Sequence, residues 1–453
     1  MRVGRWIGAG VLALALGPGG PARAEEPDAS TGELREMVED LQKQVAILRR
    51  KLEVQEETAA SKGPSPIVGA GADGFYLRSP DKAFELKLRG YTQFDGRYFS
   101  EEQGPYVDTW LFRRLRPILE GTLGGVVDFR IMPDFAGSQL VVQDAYVNLH
   151  YFPLANLQLG KFKGPFGLER LQSATALTFA ERALPTNLVP NRDLGVMLHG
   201  ILGEGLFQYQ LAFMNGVVDG SSADVDNGNA KDVMARVFAQ PFQNRSEAWL
   251  AGLGVGFAFD YGAQDTPGPL PTYKTAGQSN FFAYAAGVQS AENRVRFSPQ
   301  LTYYWGPFGL LGEYVKSQTG VVLTGRNKEF ENQAWQVAAS YVLTGENASY
   351  RGVLPSASFS VEKGTWGAFE VAARYNELRV DPDVFATGFA NPLTQAQRAR
   401  AWGVGGNWYL NRWIKLMLDY ERTYFQGGGG GTLADVDDRG DESVFFFRTQ
   451  LSF

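Results

Sequence analysis

The chain has 453 residues, no cysteine, two histidines and a formal net charge of −6. Aromatic residues make up 13% and glycine is abundant at 54, yet mean hydropathy is only −0.21. These values exclude a disulfide-built secreted domain and a bundle of membrane helices, but they suit strands that are apolar on one face and polar on the other.

The first segment reads as an export signal. Arg2 and Arg5 precede an apolar run, Trp6 to Leu16, that is too short to span a bilayer as a helix, and Ala22-Arg23-Ala24 offers a cleavage site. Residues 1–24 are therefore assigned as a signal peptide. Residues 25–60 follow as a periplasmic coiled-coil helix, because Leu34, Val38, Leu41, Val45, Leu48 and Leu52 keep a 4-3-4-3-4 spacing. A lone helix of this polarity is marginal in water, so the seam calls for partner helices. The alternative is a single amphipathic helix lying at the mouth of the next domain. Residues 61–83 read as a linker, with Ser61-Lys62-Gly63-Pro64-Ser65-Pro66 at its start.

From residue 84 to 453 the period changes to two. Sixteen candidate strands fall near 84–98, 109–121, 125–135, 140–151, 156–163, 192–202, 205–215, 231–241, 249–261, 292–305, 307–319, 331–345, 365–380, 398–410, 412–425 and 442–453. Trp335, Val337, Ala339, Tyr341 and Leu343 alternate with Gln336, Ser340 and Thr344. The last strand sets Phe445, Phe447, Thr449, Leu451 and Phe453 against Phe446, Arg448, Gln450 and Ser452. One face meets lipid and the other water, and only a closed sheet leaves no unpaired edge in a bilayer. The expected fold is all-β: a transmembrane 16-stranded antiparallel β-barrel of the outer membrane of a Gram-negative cell, with a periplasmic N-terminus.

Residues 164–191 interrupt the rhythm. They are too apolar for plain disorder, with Phe166, Leu168, Leu171, Leu177, Phe179 and Leu184, and they read as a loop folded inward to form a constriction. Parity turns Lys87, Arg89, Arg97, Arg114, Arg116, Arg130, Arg236, Arg294, Arg296, Arg374, Lys415 and Arg448 toward the lumen. Asp95, Glu120, Asp128, Asp144, Glu313, Glu370, Asp419 and Glu421 share that face, so bases outnumber acids. Arginine suits bidentate capture of phosphate or carboxylate oxygens, and rings of such residues favour anions. In the densest cluster, Arg113-Arg114-Leu115-Arg116, parity places Arg113 at the rim or in the wall. The residues expected to line the pore and bind anions are Arg89, Arg113, Arg114, Arg116, Arg130, Lys161, Lys163, Arg294, Arg296 and Arg374. The bland alternative is that these bases only balance the luminal acids.

Catalysis finds little support. His150 and His199 lie on separate strands without a visible acid–His–Ser grouping, and two histidines without cysteine make a poor metal set. Gly427–Gly431 lacks the Lys-Ser/Thr of a phosphate-binding loop. No enzyme activity, metal, cofactor or nucleic-acid partner is expected; the partners are small anions, outer-membrane lipid and further copies of the chain.

Several motifs resemble the phosphate-selective porin O/P family. They are Gln158-Leu159-Gly160-Lys161-Phe162-Lys163-Gly164-Pro165-Phe166-Gly167-Leu168-Glu169, Leu177-Thr178-Phe179-Ala180-Glu181-Arg182 and Arg192-Asp193-Leu194-Gly195-Val196. Tyr341-Val342-Leu343-Thr344-Gly345-Glu346 and Gly367-Ala368-Phe369-Glu370-Val371-Ala372-Ala373-Arg374-Tyr375 continue the resemblance. It implies a sixteen-stranded homotrimer with one pore per subunit and a third loop carrying basic eyelet residues. Lys161, Lys163, Arg113 and Arg114 match those basic positions best. The loop body departs from the pattern, offering only Arg170 and Arg182 and no lysine. The implied function is passive diffusion of small anions, phosphate or polyphosphate first among them; the alternatives are a general or weakly anion-selective solute pore, a tethering barrel and an outer-membrane enzyme.

Overall fold

Alternating apolar and polar residues cannot bury both faces of a strand, so the sheet must separate two solvents. A computed structural model describes residues 31–61, 65–71, 74–100, 106–224, 228–244, 249–264 and 267–453. The signal-peptide segment 1–24 lies outside the described residues, as do residues 25–30 and parts of the linker.

Sixteen strands form one closed antiparallel ring. We label them β1 (Glu85–Phe99), β2 (Thr109–Leu123), β3 (Val127–Asp134), β4 (Val141–Phe152), β5 (Ala155–Lys163), β6 (Arg192–Leu202), β7 (Phe207–Met214) and β8 (Asp232–Ala239). The ring continues with β9 (Leu253–Gln264), β10 (Gln289–Trp305), β11 (Phe308–Leu323), β12 (Arg326–Val342), β13 (Ala368–Arg379), β14 (Arg398–Tyr409), β15 (Ile414–Gln426) and β16 (Glu442–Ser452). Each strand pairs with its neighbours in sequence. Closure joins β16 to β1, from Val444 opposite Phe99 to Ser452 opposite Tyr91, and Phe453 exchanges both main-chain hydrogen bonds with Gly90. A short hairpin, Ile67–Gly71 and Gly74–Arg78, continues the edge of β1 below that seam.

Exposure follows the pleat. In β16, Phe445, Phe447 and Leu451 are exposed, whereas Phe446, Arg448 and Gln450 are buried. In β10, Arg294, Arg296, Ser298, Gln300 and Thr302 are buried while Leu301 and Trp305 are exposed. The apolar outer face is the lipid-facing surface of an outer-membrane barrel.

Two connections break the alternation of short turns and long loops. β11 and β12 are joined by only two residues, because β10, β11 and β12 run to 17, 16 and 17 residues. Residues 343–367 form a long connection at the end where turns are otherwise mostly tight.

Residues 164–191 hold a four-residue helix, Leu168–Leu171, and a 3-10 turn, Leu184–Leu188. Inward side chains around the ring fix their backbone. Gln93 of β1 donates to the Ala174 carbonyl (2.9 Å), Lys415 of β15 to Leu177 (2.8 Å) and Asn407 of β14 to Thr178 (2.9 Å). The Ala180 N–H donates to Asp419 (2.6 Å) and the Leu184 N–H to Asn376 (3.0 Å). The segment therefore crosses the lumen. One sector, bounded by β9 to β15, is filled by an apolar cluster that includes Phe166, Leu188, Tyr273, Phe281, Phe282, Phe330 and Phe389. A polar cavity remains beside Arg113 and Arg114 of β2.

The N-terminal unit is a helix, Thr31–Ser61. Within it the seam residues Leu34, Val38, Leu41, Val45, Leu48 and Leu52 are all exposed, at 47–59%.

Candidate functional site

The site begins with a register shift. Gln93 of β1 faces Arg114 of β2, but the next pair is Phe94 with Phe112, so Arg113 is the extra residue of a β-bulge. A bulge re-aims a side chain that strict alternation would send to the other face. Arg113 therefore reaches inward to Glu181, with Nη2 3.2 Å from Oε2 and a closer contact from Nε. This corrects the rim-or-wall position expected from parity.

Glu181 is caged. Arg97 Nη2 lies 3.1 Å away and Arg448 Nη2 3.3 Å away, and the Glu181 carbonyl accepts from Arg374 (2.9 Å). Burial alone would raise this loop carboxyl, but Arg113, Arg97, Arg114 and Arg448 outweigh it and hold it well below the usual carboxylate range.

Arg114, Arg170 and Arg182 have no carboxylate partner among the described residues. Arg114 donates to Gln93. Arg170 donates to the Thr186 carbonyl (3.0 Å), and its buried Nε has no partner. Arg182 donates to the carbonyls of Glu169 and Gln172, both at 2.9 Å. Burial, then the nearby Arg182 and Arg192, push the Arg170 guanidinium down from its ordinary value. These three, with Arg113 and Glu181, line one cavity of about 440 Å³. Asp219 also lines it, but that carboxylate is engaged by Arg296 at 2.7 Å.

The other expected residues lie outside this cavity and are mostly paired. Arg89 and Arg130 share Glu120 at 3.0 and 3.2 Å, and Asp144 sits between Arg130 (3.5 Å) and Arg192 (2.8 Å). Arg116 holds Asp134 (2.7 Å) and the Tyr91 hydroxyl (2.8 Å). Arg294 pairs with Asp232 (2.6 Å), Arg296 also with Asp260, and Arg374 with Glu421. Lys161 pairs with Asp224 of the β7–β8 connection. Lys163 donates to the carbonyls of Leu171 and Gln172 at 3.3 and 3.0 Å, tying down the inward segment.

Arg170 and Arg182 are absent from the residues expected from sequence. Their signal was their place in the inward loop, where no strand parity exists to orient them. His199 contacts Asn148 at 3.0 Å, and His150 lies 2.9 Å from Asp128. No group of three potential metal ligands occurs among the described residues.

A closed sixteen-stranded barrel with an apolar exterior and a lumen crossed by its own loop is an outer-membrane channel. The chain belongs to the phosphate-selective porin O and P family, whose model matches residues 84–453. Porin O of Pseudomonas aeruginosa is 25% identical over 417 residues, spanning 84% of this chain and 90% of that protein. Two solved structures share the fold. The outer membrane channel DcaP of Acinetobacter baumannii has 14% identity and a TM-score of 0.53, covering 83% of this chain and 99% of its own. An anion-selective porin from Comamonas acidovorans has 12% identity and a TM-score of 0.52, covering 82% and 100%.

Proposed function

We propose that the barrel gives passive diffusion of small anions, with phosphate or polyphosphate favoured. The observation that carries this is the set of three guanidiniums, Arg114, Arg170 and Arg182, which meet one cavity with no carboxylate partner of their own among the described residues. The hydrogen bonds they make go to neutral oxygens, which do not cancel their charge, so a passing anion supplies the missing countercharge. The paired arginines Arg89, Arg116 and Arg130 of β1 to β3 form a polar wall along which an anion exchanges partners. Membership of a family described as phosphate-selective supports phosphate over other anions.

Residues 164–191 act as the constriction in this reading, and Lys163 anchors them. The helix 31–61 is the periplasmic part, with its apolar seam closed by two further copies in a homotrimer; of the expected linker 61–83, the hairpin Ile67–Gly71 and Gly74–Arg78 already belongs to the sheet. The test is the reversal potential in a potassium chloride gradient. Chloride should carry most of the current, and Arg114→Gln with Arg182→Gln should move the potential toward zero. A cation-selective wild-type pore would refute the reading.

A further inference from the structure

A second chamber, of about 670 Å³, lies on the turn side of the inward segment. Its wall is β7, β8 and β10, and the 343–367 connection folds up to meet it. There the Tyr350 hydroxyl donates to the Leu168 carbonyl at 2.5 Å, and Gln172 Nε2 donates to the Tyr350 carbonyl at 2.8 Å.

The chemistry of this chamber differs from that of the arginine cavity. Arg236 is its buried charge. It donates to Gln300 Oε1 (3.0 Å) and Gln210 Oε1 (3.2 Å), and no carboxylate lies within ion-pair distance among the described residues. Its guanidinium carbon stands 5.0 Å from the centre of the Phe238 ring. Leu168, Leu171, Tyr304 and Tyr350 supply further apolar surface around it. A guanidinium held by neutral amides keeps its positive charge available to an anion. Aromatic and aliphatic walls beside it reward a ligand that brings a ring as well as a charge. Inorganic phosphate is compact and hydrated, and could use only the first of these.

We propose that this chamber binds organic anions in which one phosphate or carboxylate head is joined to an apolar ring. The head meets Arg236 and the ring lies against Phe238 and Tyr350. This rests on the reading of the lumen as an anion pathway, but its signature is distinct, since it is carried by the ring.

The experiment uses the full-length protein in planar bilayers, with phenyl phosphate, benzoate, inorganic phosphate and phenol as separate blockers of the chloride current. Phenyl phosphate should half-block at a concentration about tenfold below that of inorganic phosphate, the gain from burying a ring. Phenol, without charge, should not block. Benzoate matching phenyl phosphate would assign the head as any oxyanion; benzoate failing would assign it as phosphate. Arg236→Gln and Phe238→Ala should each abolish the advantage of phenyl phosphate over inorganic phosphate. The heat-dependent gel mobility of each variant checks that the barrel is folded; Phe238→Leu replaces Phe238→Ala, and Arg236→Met replaces Arg236→Gln, where the first choice is not folded. Equal half-blocking by phenyl phosphate and inorganic phosphate would overturn the proposal, as would a ring advantage that survives in both variants. A cation-selective reversal potential would instead strike the anion-channel reading.

Discussion

Replacing Glu181 with glutamine should make the pore more anion-selective and the barrel less stable. Among the described residues Glu181 is the one carboxylate facing Arg97, Arg113 and Arg448 together, at 3.1 Å from Arg97, 3.2 Å from Arg113 Nη2 and 3.3 Å from Arg448. Glutamine keeps the shape but removes the charge and turns an N–H donor toward guanidiniums. Arg448 retains Asp95 at 2.6 Å and Arg97 keeps a longer contact to the same carboxylate at 3.8 Å, so the charge set free resides mainly on Arg113, which borders the cavity. An anion passing ~5 Å from one freed charge gains roughly 0.8 kcal/mol at the dielectric of water and roughly 3 kcal/mol at an effective value of 20. The corresponding tightening runs from about fourfold to about two hundredfold, and the lower end applies at high salt. The assay is paired: reversal potential for selectivity, and the half-blocking phosphate concentration for affinity. Leaving buried cations uncompensated should also cost about 3–5 kcal/mol, visible as a lower temperature for the gel-mobility shift. A folded Glu181→Gln barrel with unchanged or weaker phosphate block would refute the electrostatic argument.

Other outcomes follow from the same geometry. Because the Glu181 carboxyl is held below its ordinary value of 4.5, its contribution is present above that pH and lost as pH falls through the lower folded value; thermal scans from pH 7 to pH 2 should show this acid limb in the wild type and not in Glu181→Gln. Arg448→Met leaves Asp95, fully buried, without its partner at 2.6 Å, and should destabilise the barrel by about 3–5 kcal/mol in the same gel assay. Leu41→Lys with Leu48→Lys places charge in the helix seam; sedimentation in detergent should show weakened association while the barrel's gel shift is retained.

Much of the barrel was legible because lipid on one side and water on the other impose a two-residue period that survives in local sequence. β2, β6 and β14 begin at 109, 192 and 398, where the alternation puts them. β12 begins at Arg326 rather than near 331, since its first turn continues above the apolar belt where no period is enforced. Arg113 escaped the same rule, because a bulge depends on the neighbouring strand's register and not on the residues beside it. Pairing was also illegible. Parity showed that Arg294, Arg296 and Arg374 face inward, but which carboxylate each meets depends on loops and strands far away in sequence. For the inward segment, apolar content signalled burial, yet the direction of Arg170 and Arg182 depends on its contacts with the opposite wall.

The measurement closest to the central claim is single-channel recording of the purified protein in potassium chloride while phosphate is titrated in. The account predicts anion-selective steps that low phosphate blocks, with block weakened about tenfold or more by Arg114→Ala and little changed by Lys161→Ala, whose partner is Asp224 outside the arginine cavity. Large steps of weak selectivity, indifferent to phosphate and unaltered by Arg114→Ala, would contradict it.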